Sequence, residues 1–516
     1  MPDAVIAMWG WVGAVALAAG AAAVLSRGKV RWGWLVAGLL LMAVYDVVLT
    51  RGYGHIPLDF GHSRWNWEGK TLAVLLSLAV AGLPVVGWRR SGLTLHQDRQ
   101  GLRGALILAG CAPAEQTPTL TWYTNPDDGG QAKIAAQCTD AANGRYRVET
   151  SMLPTDAASQ REQLTRRLAA GDTSMDIMSL DPPFVPELAE PGFLAPVPEE
   201  MQAYAKDNAL EGALAAASWK DELVTVPFWA NTQLLWYRKS VAEAAGLDMS
   251  RPVTWDQLIE AARSQDKDLA VQGARAESMT VWLNALIEGG GEQIVPNAEA
   301  PTDEVTTNLD SEAGRTAARI ISTIGKEGLG SAGLPTQDEN ASMLLFQGKN
   351  GSFMVNWPFV WPATLGSVEE GSLPEDLPED IGWAVYPRTV EGKDAAPPVG
   401  GINLGVGAKS EHQDLAWDAI SCITTTEHQS QYFVENGNPP ADPAAYDAPE
   451  VAEKYPMADT IRESLELGAP RPQTPYYNEV STAIQQRYAP PSGVSESTPA
   501  ETDDFIQEVL RGERLL

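Results

Sequence analysis

Apolar residues are arranged in two ways along this chain. Up to about residue 90 they form long unbroken runs, at 4–26, 32–50 and 71–88. Each run approaches the roughly 20 residues that a helix needs to cross a bilayer. Trp32, Trp34 and Trp88 mark the ends of runs, where indoles favour the membrane interface. Asp46 lies near one end of the second run, within reach of the headgroups. Basic residues orient the runs: Arg27, Lys29 and Arg31 fill the first short loop, and Arg89, Arg90, Arg99 and Arg103 follow the third run. The excess of Lys and Arg in cytoplasmic loops puts both clusters inside and the N-terminus outside. Residues 1–92 are therefore expected to be a membrane segment with three α-helical transmembrane spans.

From residue 119 the periods change. "TLTWY" (119–123) reads as a strand, followed by a loop with Asn125, Asp127 and Gly129 and a helical run carrying Ile134, Ala135 and Cys138. "RYRVETSML" (145–153) alternates like a strand. Residues 157–170 form an amphipathic helix with Leu164 and Leu168 four apart, and "MDIMSLD" (175–181) is a strand ending in an acid. This βαβαβ order predicts an α/β fold with a parallel sheet covered by helices on both faces. Ligands of such sheets bind beyond the carboxyl ends of the strands, where Asn125 and Asp181 fall. Further strands are expected at 222–228, 351–357, 381–387 and 401–408, and helices at 311–327 and 415–425. The acid-rich 368–380 and the Ser/Pro/Thr stretch 490–502 read as surface segments.

Between the two regimes, Leu108-Ala109-Gly110-Cys111 follows a short apolar stretch that begins after Arg103. Small residues before a cysteine resemble a bacterial lipobox. Residues 93–111 are thus expected to be an internal lipoprotein-type signal with Cys111 as the lipidated residue. The stretch 104–110 is at the lower limit of an ordinary signal core, so a tether that stays uncleaved and a fused or misassigned start remain alternatives. The predicted topology leaves Arg103 on the cytoplasmic side, where such a signal must begin.

Charge sharpens the division. The chain of 516 residues carries a net charge of −30, positive before residue 111 and strongly negative after it. A surface this acidic repels phosphate backbones, so nucleic acid is not an expected partner. Of three cysteines, Cys138 and Cys422 remain as a pair once Cys111 is set aside. An oxidising compartment favours a disulfide between them, with two buried free thiols as the alternative.

No phosphate loop, His-based metal spacing or nucleophile elbow is present, so neither a metal site nor a cofactor is expected. Indoles, carboxylates and amides are plentiful instead: Trp229, Trp236, Trp282, Trp357 and Trp361 all lie beyond residue 119. Sugars offer flat C–H faces to aromatic rings and hydroxyls to fixed donors and acceptors. In "VNWPFVW" Pro358 breaks the strand just after Trp357, which puts that indole at a strand end.

"ANTQLLWYR" (230–238), "FMVNWPFVW" (353–361), "GGINLGV" (400–406) and the "RPQTPYY" that ends at Tyr477 together resemble the extracytoplasmic sugar-binding proteins of ABC importers, in particular the LpqY-type trehalose/maltose-binding lipoproteins. The resemblance runs from about residue 119 to the C-terminus. It implies a two-lobed, type II periplasmic-binding-protein-like fold, with lobe 1 at 117–226 plus 384–432 and lobe 2 at 227–383 plus 433–516. It implies substrate contacts by Asn125, Asp127, Gln160, Asp181, Asn231, Glu339, Trp357, Gly401, Ile402 and Arg471. Where this chain has Asp127 the family often has the longer Glu. The family also carries cysteines at the positions of Cys138 and Cys422, which supports the bridge. The implied ligand is an α-glucoside disaccharide, and the implied partners are two permease subunits and their ATPase at the cell membrane, with the binding part outside. The resemblance implies no enzyme activity; the rival reading is a glycoside hydrolase using Asp181 and Glu339 as acid and nucleophile. Separately, "WNWEGK" (65–70) and "SGLTLHQD" (91–98) resemble the leading part of CPBP-type membrane proteins, without that family's catalytic motifs.

Overall fold

The computed structural model describes residues 117–516. The three apolar runs and the segment ending at Cys111 lie outside the described residues. Among the described residues, no helix is long and apolar enough to cross a membrane.

The described chain opens with β1 (Thr119–Thr124), α1 (Gly130–Ala141), β2 (Arg147–Met152), α2 (Ala157–Ala169) and β3 (Ile177–Leu180). β1 pairs in parallel with β2 on one side and β3 on the other. Side chains of a strand alternate between faces, and β1 uses both. Leu120 and Trp122 pack with Ile134 and Cys138 of α1, while Tyr123 packs with Leu164 and Leu168 of α2. β3 is buried along its whole length, as a central strand of a sheet covered on both faces must be.

The expected strand at 222–228 is in fact two pieces. Lys220 and Asp221, at φ 51° and 61°, form a tight turn between Ser218–Trp219 and Glu222–Leu223. The N–H groups of Val224 and Thr225 then return to the Ala217 carbonyl at 3.2 Å, which interrupts the strand. β4 (Val226–Thr232) begins only after that. One residue, Gln233, separates it from β5 (Leu234–Arg238). There follow β6 (Asp268–Ala270), α3 (Glu277–Glu288), α4 (Glu312–Lys326), α5 (Glu339–Gln347), β7 (Gly351–Asn356) and β8 (Ile381–Ala384). The chain continues through β9 (Pro398–Gly405), α6 (Gln413–Ile423), β10 (Ala469–Pro470), α7 (Tyr477–Tyr488) and α8 (Thr498–Leu510).

Two main sheets result. One runs β10-β9-β3-β1-β2, with β4 also on β9; the other runs β8-β5-β7-β6. The chain passes between them at Gln233, between β8 and β9, and again through the segment that leads to β10. A cluster around Phe433, Tyr455 and Ile461 packs on Ala230 of β4 and on Leu234 and Trp236 of β5, so it lies across the first passage. Sheet pairing sets the lobe limits differently from the expected 226 and 384. β4 belongs wholly to the first sheet. Tyr386 and Ala395 pack into the core of the second lobe, so the first lobe resumes at β9. A run of apolar residues looks the same whichever sheet it joins, and only its pairing partner decides.

Two further features depart from or extend the sequence reading. The stretch 490–502 lies at the surface, as expected, but is anchored there: Pro491, Val494 and Thr498 are buried, and α8 begins inside it. Gly325 of α4 permits this, because a Cβ there would strike the backbone at Pro491 and Ser492 at 2.6 and 2.5 Å. Cys138 of α1 and Cys422 of α6 are joined as a disulfide, and both helices pack on the first sheet.

Candidate functional site

The loops that leave the carboxyl ends of β1, β2 and β3 open into one cavity of about 620 Å³, inside the roughly 300–1,000 Å³ range of small-molecule sites. From the first lobe it is lined by Asn125, Gln160, Asp181, Asn231, Gly401 and Ile402. From the second it is lined by Glu277, Ser278, Glu339 and Trp357. Arg471, just past β10, lies between them.

Helix caps fix the first-lobe loops. The Asp156 carboxylate accepts from Ser159 N–H at 2.8 Å and starts α2, which sets Gln160 one turn into that helix. Gln160 accepts the Asn125 amide at 2.8 Å and donates to the Pro154 carbonyl at 2.7 Å, so its own amide orients Asn125. Asn231 is buried, and its side-chain oxygen accepts from Thr232 N–H at 3.0 Å, which leaves its amide nitrogen for another partner. Asp127 does something else. Its carboxylate accepts from the N–H groups of Gly129 at 3.0 Å and Gln131 at 2.8 Å, tying down the start of α1, and it does not line the cavity. An Asp within two to four residues of a helix start caps the free N–H groups, and its short side chain reaches no further.

Trp357 spans the cleft. Its position at the end of β7 puts the indole over β9 of the other lobe, where a Cβ on Gly400 would meet the ring at 3.1 Å. Gly401 has φ 125°, and a side chain there would press on Ala230 at 2.9 Å. The bare backbone at Gly400 is what lets the indole approach, and that at Gly401 is what lets β9 pack against the β4 backbone. Trp229 also lines the cavity. Trp236 and Trp282 are fully buried core residues, and Trp361 packs edge-on against Trp383, so these three are structural.

The polar centre is an ion triad. Arg471, 5 % exposed, donates to Asp181 Oδ1 at 2.5 Å and to Glu277 Oε1 at 2.7 Å. Burial works against the guanidinium charge, but Asp181, Tyr477 and Glu277 outweigh it and hold its pKa well above the usual range. Glu277 is held in turn by the Tyr477 hydroxyl and by Ser481 Oγ at 2.7 Å. Glu339 begins α5 next to its cap Asp338. Burial, followed by the neighbouring carboxylates Asp338 and Glu277, raises its carboxyl above the ordinary range, while its own backbone N–H and Trp357 pull the other way. The buried atoms Ser278 Oγ, Asn125 Oδ1 and Trp229 Nε1 have no protein partner.

Nine of the ten residues expected to contact substrate line this cavity; Asp127 does not. Sequence reasoning missed Glu277, Ser278, Asp338 and Trp229 as lining residues. Nothing local marks Glu277, whose partners Arg471, Tyr477 and Ser481 lie about 200 positions away. Trp229 had only its aromatic character to distinguish it.

Two α/β lobes, short crossings and a cleft with an indole and hydrogen-bonding side chains define a bilobed binding protein. Residues 124–430 match the family of bacterial extracellular solute-binding proteins, and the chain belongs to that family. It is similar to a probable ABC transporter-binding protein of Deinococcus radiodurans, 26% identical over 280 residues, which are 51% of this chain and 62% of that protein. A mannitol-binding protein of Pseudomonas aeruginosa is 29% identical over 123 residues, 24% of this chain and 28% of its own. Among solved structures, maltose-bound T. maritima MalE3 superposes with a TM-score of 0.64 at 24% identity, over 77% of this chain and 100% of that one. The GacH receptor of Streptomyces glaucescens superposes with a TM-score of 0.62 at 20% identity, over 77% of this chain and 98% of its own.

Proposed function

We propose that the cleft binds an uncharged α-linked glucose disaccharide, trehalose first and maltose second, as in the LpqY-type proteins. Trp357 carries one glucose face. Asn231, Glu339 and Arg471 hold hydroxyls, with Asp181 keeping the guanidinium in place. The lobes close on the sugar and present it to two permease subunits driven by a cytoplasmic ATPase. The binding part is held outside the membrane by lipid on Cys111, or by the apolar segment before it where that is not cleaved. Residues 1–92 form an accessory membrane unit. Intact-mass analysis of the native protein distinguishes a mature chain starting at lipidated Cys111 from an uncleaved one.

One observation carries the reading: an indole from one lobe faces bare strand backbone of the other, within a ring of amides, carboxylates and one guanidinium. The similar solved structures in complex with maltose and with acarbose support the ligand class. Isothermal calorimetry of the full-length chain in detergent against a panel of disaccharides tests it. Trehalose or maltose is expected to bind and to be recovered unaltered after overnight incubation, and Trp357→Ala is expected to weaken binding by about tenfold or more, the loss of one stacked aromatic contact and its buried area. Sugar turnover that disappears in both Asp181→Asn and Glu339→Gln would reverse the assignment in favour of a glycoside hydrolase.

A further inference from the structure

Five carboxylates line the cleft, Asp156, Asp181, Glu277, Asp338 and Glu339, against one basic side chain, Arg471. A guanidinium in a ligand cleft ordinarily draws a phosphate or carboxylate onto its planar fork. Here the fork is already occupied from within the protein, by Asp181 of one lobe and Glu277 of the other. Glu277 has little freedom to leave: it accepts from Tyr477, from Ser481 at 2.7 Å and from Gln485 at 3.4 Å, and it sits in the first turn of α3, where a negative charge is favoured. With Arg471 neutralised, the remaining carboxylates leave the lining negative, and an anionic ligand would meet their repulsion.

We infer that Glu277 is the charge-selecting residue of the cleft: by occupying Arg471 together with Asp181, it limits the site to uncharged disaccharides and bars the same disaccharides carrying a phosphate or carboxylate. This rests on the disaccharide reading of the cleft. Arg471 then serves neutral hydroxyls through the N–H groups that its two carboxylates leave over, and its charge is spent inside the protein.

The test is a ratio. Calorimetry on the full-length chain gives the Kd of trehalose 6-phosphate over that of trehalose, or of maltose 6′-phosphate over maltose if maltose is the tighter ligand. The wild type is expected to bind the phosphorylated sugar at least about a hundredfold more weakly, the effect of a charge left unpaired. Glu277→Gln keeps the size of the side chain and one acceptor oxygen for Tyr477, with the Ser481 hydroxyl able to accept from the new amide, but removes the charge that neutralises the guanidinium. The ratio is expected to fall by about tenfold or more. Glu277→Asp retains the charge and Ser481→Ala removes only a support, so both are expected to keep the wild-type ratio even where they melt earlier. A residue that merely held the fold together would change stability and leave the ratio alone. If Glu277→Gln gives no cooperative melt, Asp181→Asn makes the same measurement from the other lobe. A wild type that binds both sugars alike overturns the inference, and so does an unmoved ratio in the charge-removing variants. A folded wild type that binds no disaccharide at all refutes the disaccharide reading itself, a distinct outcome.

Discussion

Glu288 shows how far one residue can depart from its ordinary chemistry. It closes α3, and burial alone raises its carboxyl to about 7. The folded state then holds a proton that the unfolded chain gives up near its ordinary value of 4.5. Between those limits the native state binds more protons, so stability falls as pH rises towards 7 and levels off above it. A helix C-terminus adds to the cost of the ionised form. Glu288→Gln removes this cost, so the variant is expected to melt above the wild type at pH 8 and to lose that advantage by pH 4.5. Thermal melts across that range check it, and a pH-independent difference would mean that Glu288 ionises freely in the fold.

At the scale of elements, the caps and the cross-link do separate jobs. Asp127 and Asp156 satisfy the free N–H groups that start α1 and α2, and in doing so they set the loops that carry Asn125 and Gln160. The disulfide between α1 and α6 spans 284 positions of sequence, but both helices pack on one sheet. Its main effect is on the unfolded chain, which a link over so long a loop constrains by about 6 kcal/mol in the entropy model. Replacing both cysteines by serine is expected to lower the melting temperature by several degrees. Because the bridge does not cross between lobes, the same variant is expected to keep wild-type ligand affinity. A lost affinity in a variant that still folds would show that the link acts on closure.

At the scale of the whole molecule, function lies in the relation of the two lobes. Gln233 is a single fully buried residue between two sheets, and Trp357, Arg471 and Glu277 join the lobes across the cleft. A ligand held from both sides is expected to slow amide hydrogen exchange in the 125–131 and 399–402 segments of one lobe and in 338–342 of the other. The interiors of both sheets are expected to exchange as before. Protection confined to one lobe would argue for a ligand that sits on a surface and does not close the clamp.

How much of this was legible depends on range. The βαβαβ order could be read from the sequence because β1, α1, β2 and α2 follow from alternation and helical spacing over a few residues each. The strand-end place of Trp357 followed from Pro358, and the cysteine pair from its count and the family likeness. What the sequence did not settle lies in contacts between distant segments. Local pattern could not tell that Asp127 caps a helix and Asp181 pairs with a guanidinium 290 positions on, because both are acids beyond strand ends. Nor could it assign β4 to the first sheet, or anchor the Ser/Pro/Thr stretch at 490–502 through Pro491, Val494 and Thr498. The sequence by itself determined the strands and helices of the βαβαβ opening, since those depend on neighbours within a turn or two. Only the tertiary structure decided which charges meet and which lobe each strand joins, because those contacts form between side chains hundreds of residues apart.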